Sequence, residues 1–281
     1  MFRPTPGLRF AGLAALAALC TLPVNATPLT LSTPLTVQAS GTSAAGNPVS
    51  FMATFTTSGS TLALTLVNTS LVPTTASADV LSSFYFDVLQ DGVRPTTLTY
   101  AAAAGQVYEV RRNAPDRFVP GSLPGGATDL RAFAKDAGTW QFRTMNPDFS
   151  PGLGFGIGTV GNSLLKPNNF DPQIVNQADY TIYSTGTGSD INPVGNLVDR
   201  LLVRGTASFQ FTGLDPCRPV EIVDRFVFGL GTSPDSIILA VPEPTTAAFV
   251  VSGLLAALIT RLIRRRPAAE AGSRSGDPPA S

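Results

Sequence analysis

The sequence predicts an all-β ectodomain, an antiparallel, jelly-roll-like β-sandwich, held between an N-terminal signal peptide and a single C-terminal transmembrane helix. Apolar and small polar residues alternate through the middle of the chain, which is typical of strands with one buried face. Turn-forming Gly (26) and Pro (24) are frequent among the 281 residues, and no part of the body keeps a helical period beyond two turns. Apolar runs stand at both ends, outside this alternating body.

Residues 1–26 have the three parts of a secretory signal peptide. Two arginines provide the positive start, and residues 10–22 form an uncharged apolar run that is too short for a membrane span. The small residue Ala26 precedes the expected cleavage. A lipoprotein-type cleavage before Cys20 is the alternative, but that chemistry requires a small residue where the bulky Leu19 stands. We therefore expect export through the inner membrane.

The clearest element of the body, residues 27–240, is a β-hairpin. Two segments of period-2 alternation flank the short loop Ser58-Gly59-Ser60, and a short Gly-containing loop between such segments favours a hairpin. The seven apolar residues that share one face are Val49, Phe51, Ala53, Phe55, Leu62, Leu64 and Leu66. We expect their side chains to point into the core because alternate residues of a strand face the same side.

Further short strands are expected along the rest of the body. The longest covers residues 203–212, in which Ala207, Phe209 and Phe211 alternate with polar neighbours. The others are expected at residues 84–88 (with Phe84, Phe86 and Val88 on one face), 98–101, 107–111, 139–142, 181–183 and 225–228. About ten short strands with Gly, Pro and Asn turns between them favour a sandwich.

Two stretches depart from the strand pattern. Residues 101–104, four alanines, are the best local candidate for a helix, although Gly105 ends it. Residues 145–177 are rich in Gly, Pro and Asn. We expect them to form a long loop across one end of the sandwich, or a seam between two halves.

Composition excludes several classes of function. The chain has no histidine, so His-based triads and His–metal sites are absent. The body carries 12 Lys and Arg against 16 Asp and Glu, a net charge of −4, which argues against nucleic-acid binding. Cys217 is the one cysteine of the mature body, so no internal disulfide forms. We expect it to be a small buried residue, with a free thiol for an intermolecular bridge as the alternative.

Three ordered features mark the C-terminus. Pro242, Glu243 and Pro244 come first, and the uncharged residues 245–260 follow them. Sixteen helical residues rise about 24 Å, slightly short of a hydrocarbon core of about 30 Å. Residues 241–263 could span it if Arg261 snorkels, and we expect the transmembrane helix at about residues 245–263. The basic cluster Arg264, Arg265 and Arg266 is expected on the cytoplasmic side, which leaves the body outside the membrane. Residues 267–281 are expected to form a disordered cytoplasmic tail.

This terminus resembles the PEP-CTERM sorting signal of Gram-negative bacteria that make exopolysaccharide. The match consists of the Pro-Glu-Pro motif, the short apolar span and the arginine cluster, residues 241–266. The resemblance implies that an exosortase, a membrane cysteine protease, recognises the motif and cleaves near it during transfer to the surface. The body is also loosely similar to exosortase-dependent ectodomains in residues 152–161, 211–214 and 226–229. An ordinary C-terminal anchor preceded by a chance Pro-Glu-Pro is the alternative.

Four residue patterns carry weaker chemical signals. Residues 156–161 fit GxGxxG, but the prolines that follow prevent the helix that a dinucleotide site requires, so close chain packing or a flexible loop is favoured. Glu109 and Glu221, with loop aspartates such as Asp116, Asp148 and Asp171, are the only support for a carboxylate-dependent hydrolase. Asn and Asp residues at 168–171 and 190–192 have side-chain oxygens that could bind calcium, but a role in turns is favoured for them.

The aromatic residues are the fourth pattern. A sugar-stacking platform would draw on Trp140, Tyr85, Tyr100, Tyr108, Tyr180 and Tyr183. Trp140 and Phe142, however, share one face of a predicted strand, which favours a core position for both.

Together these patterns predict a non-enzymatic, exported protein of the cell surface or exopolysaccharide matrix, with a structural or adhesive role and no metal or cofactor. Its expected partners are the exosortase, the inner membrane before processing, and the exopolysaccharide. A carbohydrate-binding module for matrix polysaccharide is the alternative, and a surface hydrolase is the less favoured one.

Overall fold

The computed structural model describes residues 29–30, 34–111, 114–131, 140–148, 152–159, 170, 179–184, 186, 197–223, 225–231 and 236–240. The expected signal peptide, C-terminal span, arginine cluster and tail lie outside this part of the chain. The described residues form an all-β structure, and their helical elements include the short 3₁₀ turns Ser77–Asp79 and Pro124–Gly126. Within these ranges, no helix has the length and apolar character needed to cross a membrane.

The strands in chain order are β1 (Leu29–Thr30), β2 (Leu35–Thr42), β3 (Pro48–Ser58), β4 (Thr61–Asn68), β5 (Leu81–Phe86), β6 (Val88–Gln90), β7 (Thr99–Glu109), β8 (Arg117–Val119), β9 (Thr128–Asp129), β10 (Gln141–Thr144), β11 (Phe155–Gly158), β12 (Ile182–Tyr183), β13 (Leu201–Thr212), β14 (Val220–Ile222), β15 (Phe226–Leu230) and β16 (Ser236–Ala240). Thirteen of them form one large sheet, and β1, β14 and β6 form a separate three-stranded sheet.

The large sheet has two arms. The first arm contains β2, β3, β4, β13 and β7, and the second contains β10, β11, β5, β15 and β16. The short strand β12 joins them, because Ile182 pairs with Val203 of β13 and with Leu81 of β5. The β12–β13 pair is parallel, so the sheet is mixed, whereas every other described strand pair is antiparallel, as expected.

Aromatic side chains pack between the two arms. The ring of Phe55 on β3 lies 6.0 Å from that of Phe84 on β5 and 5.8 Å from that of Phe226 on β15. The rings of Phe51 and Phe228 also meet across the arms, at 5.8 Å. The faces of the two arms therefore enclose one core, and the all-β, sandwich-like character expected from the sequence is confirmed.

The predicted hairpin is present as β3 and β4. Ser58 pairs with Thr61, so Gly59 and Ser60 form a two-residue loop. Gly59 has φ = 56°, and a positive φ at this first central position is what a type II′ hairpin turn requires. All seven predicted core residues of the hairpin are buried: Val49, Phe51, Ala53, Phe55, Leu62, Leu64 and Leu66.

Residues 101–104, the best local helix candidate that Gly105 argued against, belong to the long strand β7, since Ala102, Ala103 and Ala104 pair with β13. One expectation about secondary structure is wrong. Part of the glycine-rich stretch expected to be loop is the strand β11, which pairs with both β10 and β5. In both cases, pairing with distant strands decides the conformation.

The second arm is covered on its outer face as well. Tyr85 of β5 and Val227 of β15 point away from the core and pack against Met145, Leu153 and Phe170. We call these five residues the outer cluster. The rings of Tyr85 and Phe170 are 5.7 Å apart. Described residues of the stretch 145–177 thus lie on the sheet and shield this face of it from water.

Candidate functional site

The chain leaves the described fold through β16, directly before the predicted sorting motif. β16 pairs with β15 along its whole length, from Leu230 with Ser236 to Phe226 with Ala240. One residue, Val241, separates this last pair from Pro242. The predicted processing residues themselves, Ala26, Pro242, Glu243, Pro244, Arg264, Arg265 and Arg266, lie outside the described residues.

β16 also contacts the first arm. Ile238 is partly buried against the core, and its Cδ1 lies 3.0 Å from the position that a Cβ on Gly41 of β2 would take. The small residue on β2 therefore lets the side chain of Ile238 pack closely. This contact ties the last strand to both arms of the sheet.

The most exposed aromatic groups near charged side chains lie on the outer face of β7 and β8. Tyr108 and Phe118 are directly opposite each other in the ladder, with ring centroids 5.3 Å apart. The guanidinium carbon of Arg204 lies 4.9 Å from the centroid of the Tyr108 ring, a cation–π distance. Phe118 is 37% exposed. We call these three residues the outer aromatic surface.

Carboxylates border this surface. The hydroxyl of the buried Tyr183 donates to Oδ2 of Asp116 at 3.0 Å. Glu109 pairs with Arg117 at 2.7 Å, and the side chain of Arg117 is 64% exposed. The surface therefore combines apolar ring faces with paired charged groups, which suits a ligand that has both apolar faces and hydroxyl groups.

The other aromatic residues do not form a platform. Trp140 is 1% exposed, its Nε1 donates to the carbonyl of Tyr180 at 2.8 Å, and its ring lies 4.9 Å from that of Phe209. The prediction of a core position for Trp140 is confirmed. Tyr85 and Tyr183 are also buried. Of the candidates for a sugar-stacking platform, Tyr108 is the one that packs against an exposed ring, that of Phe118.

The two glutamates considered for a hydrolase do not lie on the same sheet. Glu109 lies on β7 of the large sheet and bonds to Arg117, whereas Glu221 lies on β14 of the small sheet. Across the described ranges, no group of three or more Cys, Asp or Glu residues is placed to hold a metal ion. Of the residues considered as calcium ligands, those at 168, 169, 171, 190 and 192 lie outside these ranges.

The alternating glycines serve packing. A Cβ on Gly156 would lie 2.9 Å from the Tyr85 ring, and one on Gly158 would lie 2.7 Å from Phe170. Just before the strand, a Cβ on Gly154 would meet Arg94, which is bound through Nε to the buried Asp87 at 2.7 Å. The expectation that these glycines allow close passage of chain segments is correct, although they do so within a strand rather than a loop.

Cys217 is exposed rather than buried, so the favoured expectation for it is wrong. Its backbone N–H donates to Oδ1 of Asp215 at 2.9 Å, in a turn that the flanking prolines promote. A turn on the surface gives a small apolar side chain no core to enter. Asp215 also lies 3.1 Å from Nε of Arg218.

Sequence reasoning missed a buried polar cluster around Asp79, which is 3% exposed. Its carboxylate accepts hydrogen bonds from Ser43 Oγ at 2.6 Å, Asn47 Nδ2 at 2.9 Å, and the backbone N–H groups of Ala76 and Thr75 at 3.0 and 3.2 Å. These four donors satisfy the buried charge. The cluster ties the turn after β2 to the segment that enters β5, and its only sequence signal is an aspartate next to an apolar strand.

Comparison with known proteins finds no matching family model, no similar curated protein and no similar solved structure.

Proposed function

We propose that this chain is an exported, non-catalytic protein of the cell surface or exopolysaccharide matrix, sorted by an exosortase through its Pro-Glu-Pro signal. The supporting observation is the order of the three features at the C-terminus. The motif of Pro242, Glu243 and Pro244 begins two residues after Ala240, the last residue of the described strand β16, and the apolar run and the arginine cluster follow it.

The proposal includes the route. The signal peptide, cleaved after Ala26, directs export; residues 245–263 hold the body at the inner membrane; and the exosortase releases it for transfer to the surface. For the body itself, we propose a jelly-roll-like sandwich fold and a structural or adhesive role. Buried aromatic packing between the arms supports a rigid module of this kind.

The intact mass of the protein from the surface and medium of producing cells tests this proposal. We expect a chain that starts near Thr27 and has lost the arginine cluster at 264–266. A chain that keeps Arg264, Arg265 and Arg266 and stays in the inner-membrane fraction would contradict it, because the body would then be a membrane-anchored periplasmic domain.

A second candidate function is binding of matrix polysaccharide at the outer aromatic surface. The rings of Tyr108 and Phe118 suit the apolar side of a sugar, and the charged side chains around them suit its hydroxyl groups. Affinity electrophoresis in gels that contain purified matrix polysaccharide tests this function. We expect Phe118→Ala to weaken retardation about tenfold, a loss of about 1.4 kcal/mol.

Leu71→Ala is the matched control for Phe118→Ala. Leu71 is 79% exposed in the segment that follows β4, away from β8, so its truncation should leave the retardation unchanged. Equal retardation of both variants and the parent chain would place polysaccharide binding away from this surface.

A further inference from the structure

The strand β2 forms an edge of the large sheet. It pairs with β3 over its whole length, from Leu35 with Phe55 to Thr42 with Pro48, without a register shift. Among the described strands, β3 is its only partner in the sheet. The other side of an edge strand presents backbone N–H and C=O groups that can bond to a further strand.

Hydrogen bonds of β3 show which residues of β2 face this free side. The N–H of Thr69 donates to the carbonyl of Ser50 at 2.8 Å, so the backbone of Ser50 faces β4. Its partner on β2 is Ser40, whose own N–H and C=O therefore point away from β3. Pro48, opposite Thr42, agrees with this assignment, because its missing N–H falls where the backbone faces away from β2. Since the period is two residues, the outward backbone groups belong to Thr36, Gln38, Ser40 and Thr42.

The composition of β2 lacks the features that usually protect an edge strand. Its eight residues include no charged residue and no proline, and its pairing with β3 has no bulge. Elsewhere in the sheet, the edge strand β8 carries Arg117 and the edge strand β10 carries the exposed Arg143. A guanidinium N–H of Arg131 also donates to the carbonyl of Ala101 on β7. Charged side chains at an edge disfavour the approach of another strand, and β2 has none.

The free side of β2 is complementary to a second copy of itself. Two β2 strands can run antiparallel about a two-fold axis that passes by Ala39. In this register, the facing side chains on the exposed side of the sheet are Thr36 with Thr42 and Gln38 with Ser40. All four are uncharged and can form hydrogen bonds across the strands. The two copies therefore bring no like charges together.

The core side of such a pair is also compatible with close approach. Val37 of one copy lies opposite Gly41 of the other, and the two Ala39 residues lie opposite each other. No two large side chains meet there. We propose that the chain forms a two-fold dimer in which β2 pairs with β2 of a second copy about Ala39, so that the first arms of both copies join into one continuous sheet.

A contact of this kind uses the same surface on both copies and closes after two of them. Its affinity comes from main-chain hydrogen bonds, as in other additions of a strand to a sheet edge. The dimer depends on the fold alone. It does not require the proposed sorting or the binding of polysaccharide, so its failure would leave both of those proposals untouched.

Light scattering of the full chain in detergent micelles, with the detergent mass subtracted, tests the dimer. We expect twice the mass of one chain at high protein concentration and dissociation on dilution. Ser40→Pro removes an outward N–H that β3 does not use, and should raise the dissociation constant at least about tenfold. A chain that stays monomeric at all concentrations would overturn the proposal.

A charge variant tests the same contact without changing the backbone. Gln38→Lys brings two like charges together across the two-fold axis, and should raise the dissociation constant about tenfold at low salt. Thr56→Lys is the matched control, because it adds the same charge at an exposed position of the inner strand β3, and should change the constant less than about threefold. Equal effects of the two lysines would overturn the proposal. So would a dimer that Ser40→Pro and Gln38→Lys leave intact, as one formed through β16 or the predicted membrane span would be.

Disulfide cross-linking tests the register. In a chain with Cys20→Ser and Cys217→Ser, Ala39→Cys places two thiols opposite each other at the axis. The Cα atoms of such a non-hydrogen-bonded pair are about 4.5 Å apart, which a disulfide can bridge. Val37→Cys is the matched control, because its thiol would face Gly41 of the second copy. Under the same mild oxidation, we expect a linked dimer from Ala39→Cys and little from Val37→Cys. No linkage in the first variant, or equal linkage in both, would overturn the pairing about Ala39.

Discussion

The two arms of the sheet meet the same core in different ways. In the first arm, β3 and β4 alternate between buried and more exposed residues along most of their length, so one face is in contact with the core and the other with water. In the second arm, every residue of β5, β11 and β15 is buried. We call the first arm one-sided, because one face of its strands is buried, and the second arm two-sided, because both faces of these three strands are buried.

The outer faces of the arms differ in their residues for this reason. On the one-sided arm the outward positions of β3 and β4 include Ser50, Thr54, Thr56, Thr61 and Thr65, which water can solvate, together with Met52, Ala63 and Val67. On the two-sided arm they include Ser83, Gly156, Gly158 and Gly229, with the larger Tyr85 under Phe170. Small residues are needed there because another part of the chain lies directly on the sheet.

The largest expected effect comes from the core that both arms share. The ring of Phe84 lies within 6.0 Å of those of Phe55, Phe226 and Phe228. Phe84→Ala should lower the free energy of unfolding by about 3–5 kcal/mol, because it leaves a cavity between the arms. Urea unfolding, followed by the fluorescence of the single tryptophan Trp140, measures it. A loss below about 1 kcal/mol would mean that the arms do not share this core.

A substitution on the outer face of the two-sided arm should have the next largest effect. A Cβ on Gly158 would lie 2.7 Å from side-chain atoms of both Phe170 and Ser83. Gly158→Val should therefore cost about 2–3 kcal/mol through overpacking. The matched control is Ser208→Val on β13, an exposed outer position of the one-sided arm, where valine should be neutral or slightly stabilising. Equal costs at both sites would contradict the distinction between the arms.

The sequence predicts the one-sided arm well, because the face in contact with water carries more polar residues and the apolar core residues therefore alternate with them. The hairpin of β3 and β4 was predicted with its loop and its core side chains from that alternation. β11 could not be predicted in this way, because Gly156 and Gly158 have no apolar side chain to reveal a buried outer face. Their burial depends on Phe170, a contact that no local pattern contains.

The candidate sites also differ in whether a local sequence pattern reveals them. The Pro-Glu-Pro motif is contiguous and was found directly, although what it does stays a prediction. The outer aromatic surface depends on the register that places Tyr108 opposite Phe118, and period-2 alternation does not give the register between strands. Cys217 was misjudged for a related reason, since exposure in a turn depends on whether anything folds over that turn.

The outer cluster of the two-sided arm should make stability fall at alkaline pH. Burial raises the pKa of the Tyr85 hydroxyl well above its ordinary value of 10.0. The unfolded chain therefore releases this proton first, and the stabilisation present below pH 10 is lost progressively as the pH rises above 10. Tyr85→Phe should reduce this loss by about 1.4 kcal/mol per pH unit above pH 10.

Urea unfolding of the parent chain and of Tyr85→Phe at pH 8, 10, 10.5 and 11 measures this difference. Burial also raises the pKa values of Tyr100 and Tyr183, so both proteins should lose stability and only the slopes should differ. Identical slopes would mean that the Tyr85 hydroxyl is not shielded by the outer cluster.

The smallest effect is expected on the outer face of the one-sided arm. Thr36 of β2 and Thr54 of β3 are directly opposite each other, and their hydroxyl oxygens are 3.0 Å apart on the exposed side. Thr54→Val keeps the β-branched shape and removes one exposed hydrogen bond, for which water compensates the partner. We expect a change below about 0.5 kcal/mol in the free energy of unfolding. A loss above about 1.5 kcal/mol would show that this face is covered too, and the contrast between the arms would then fail.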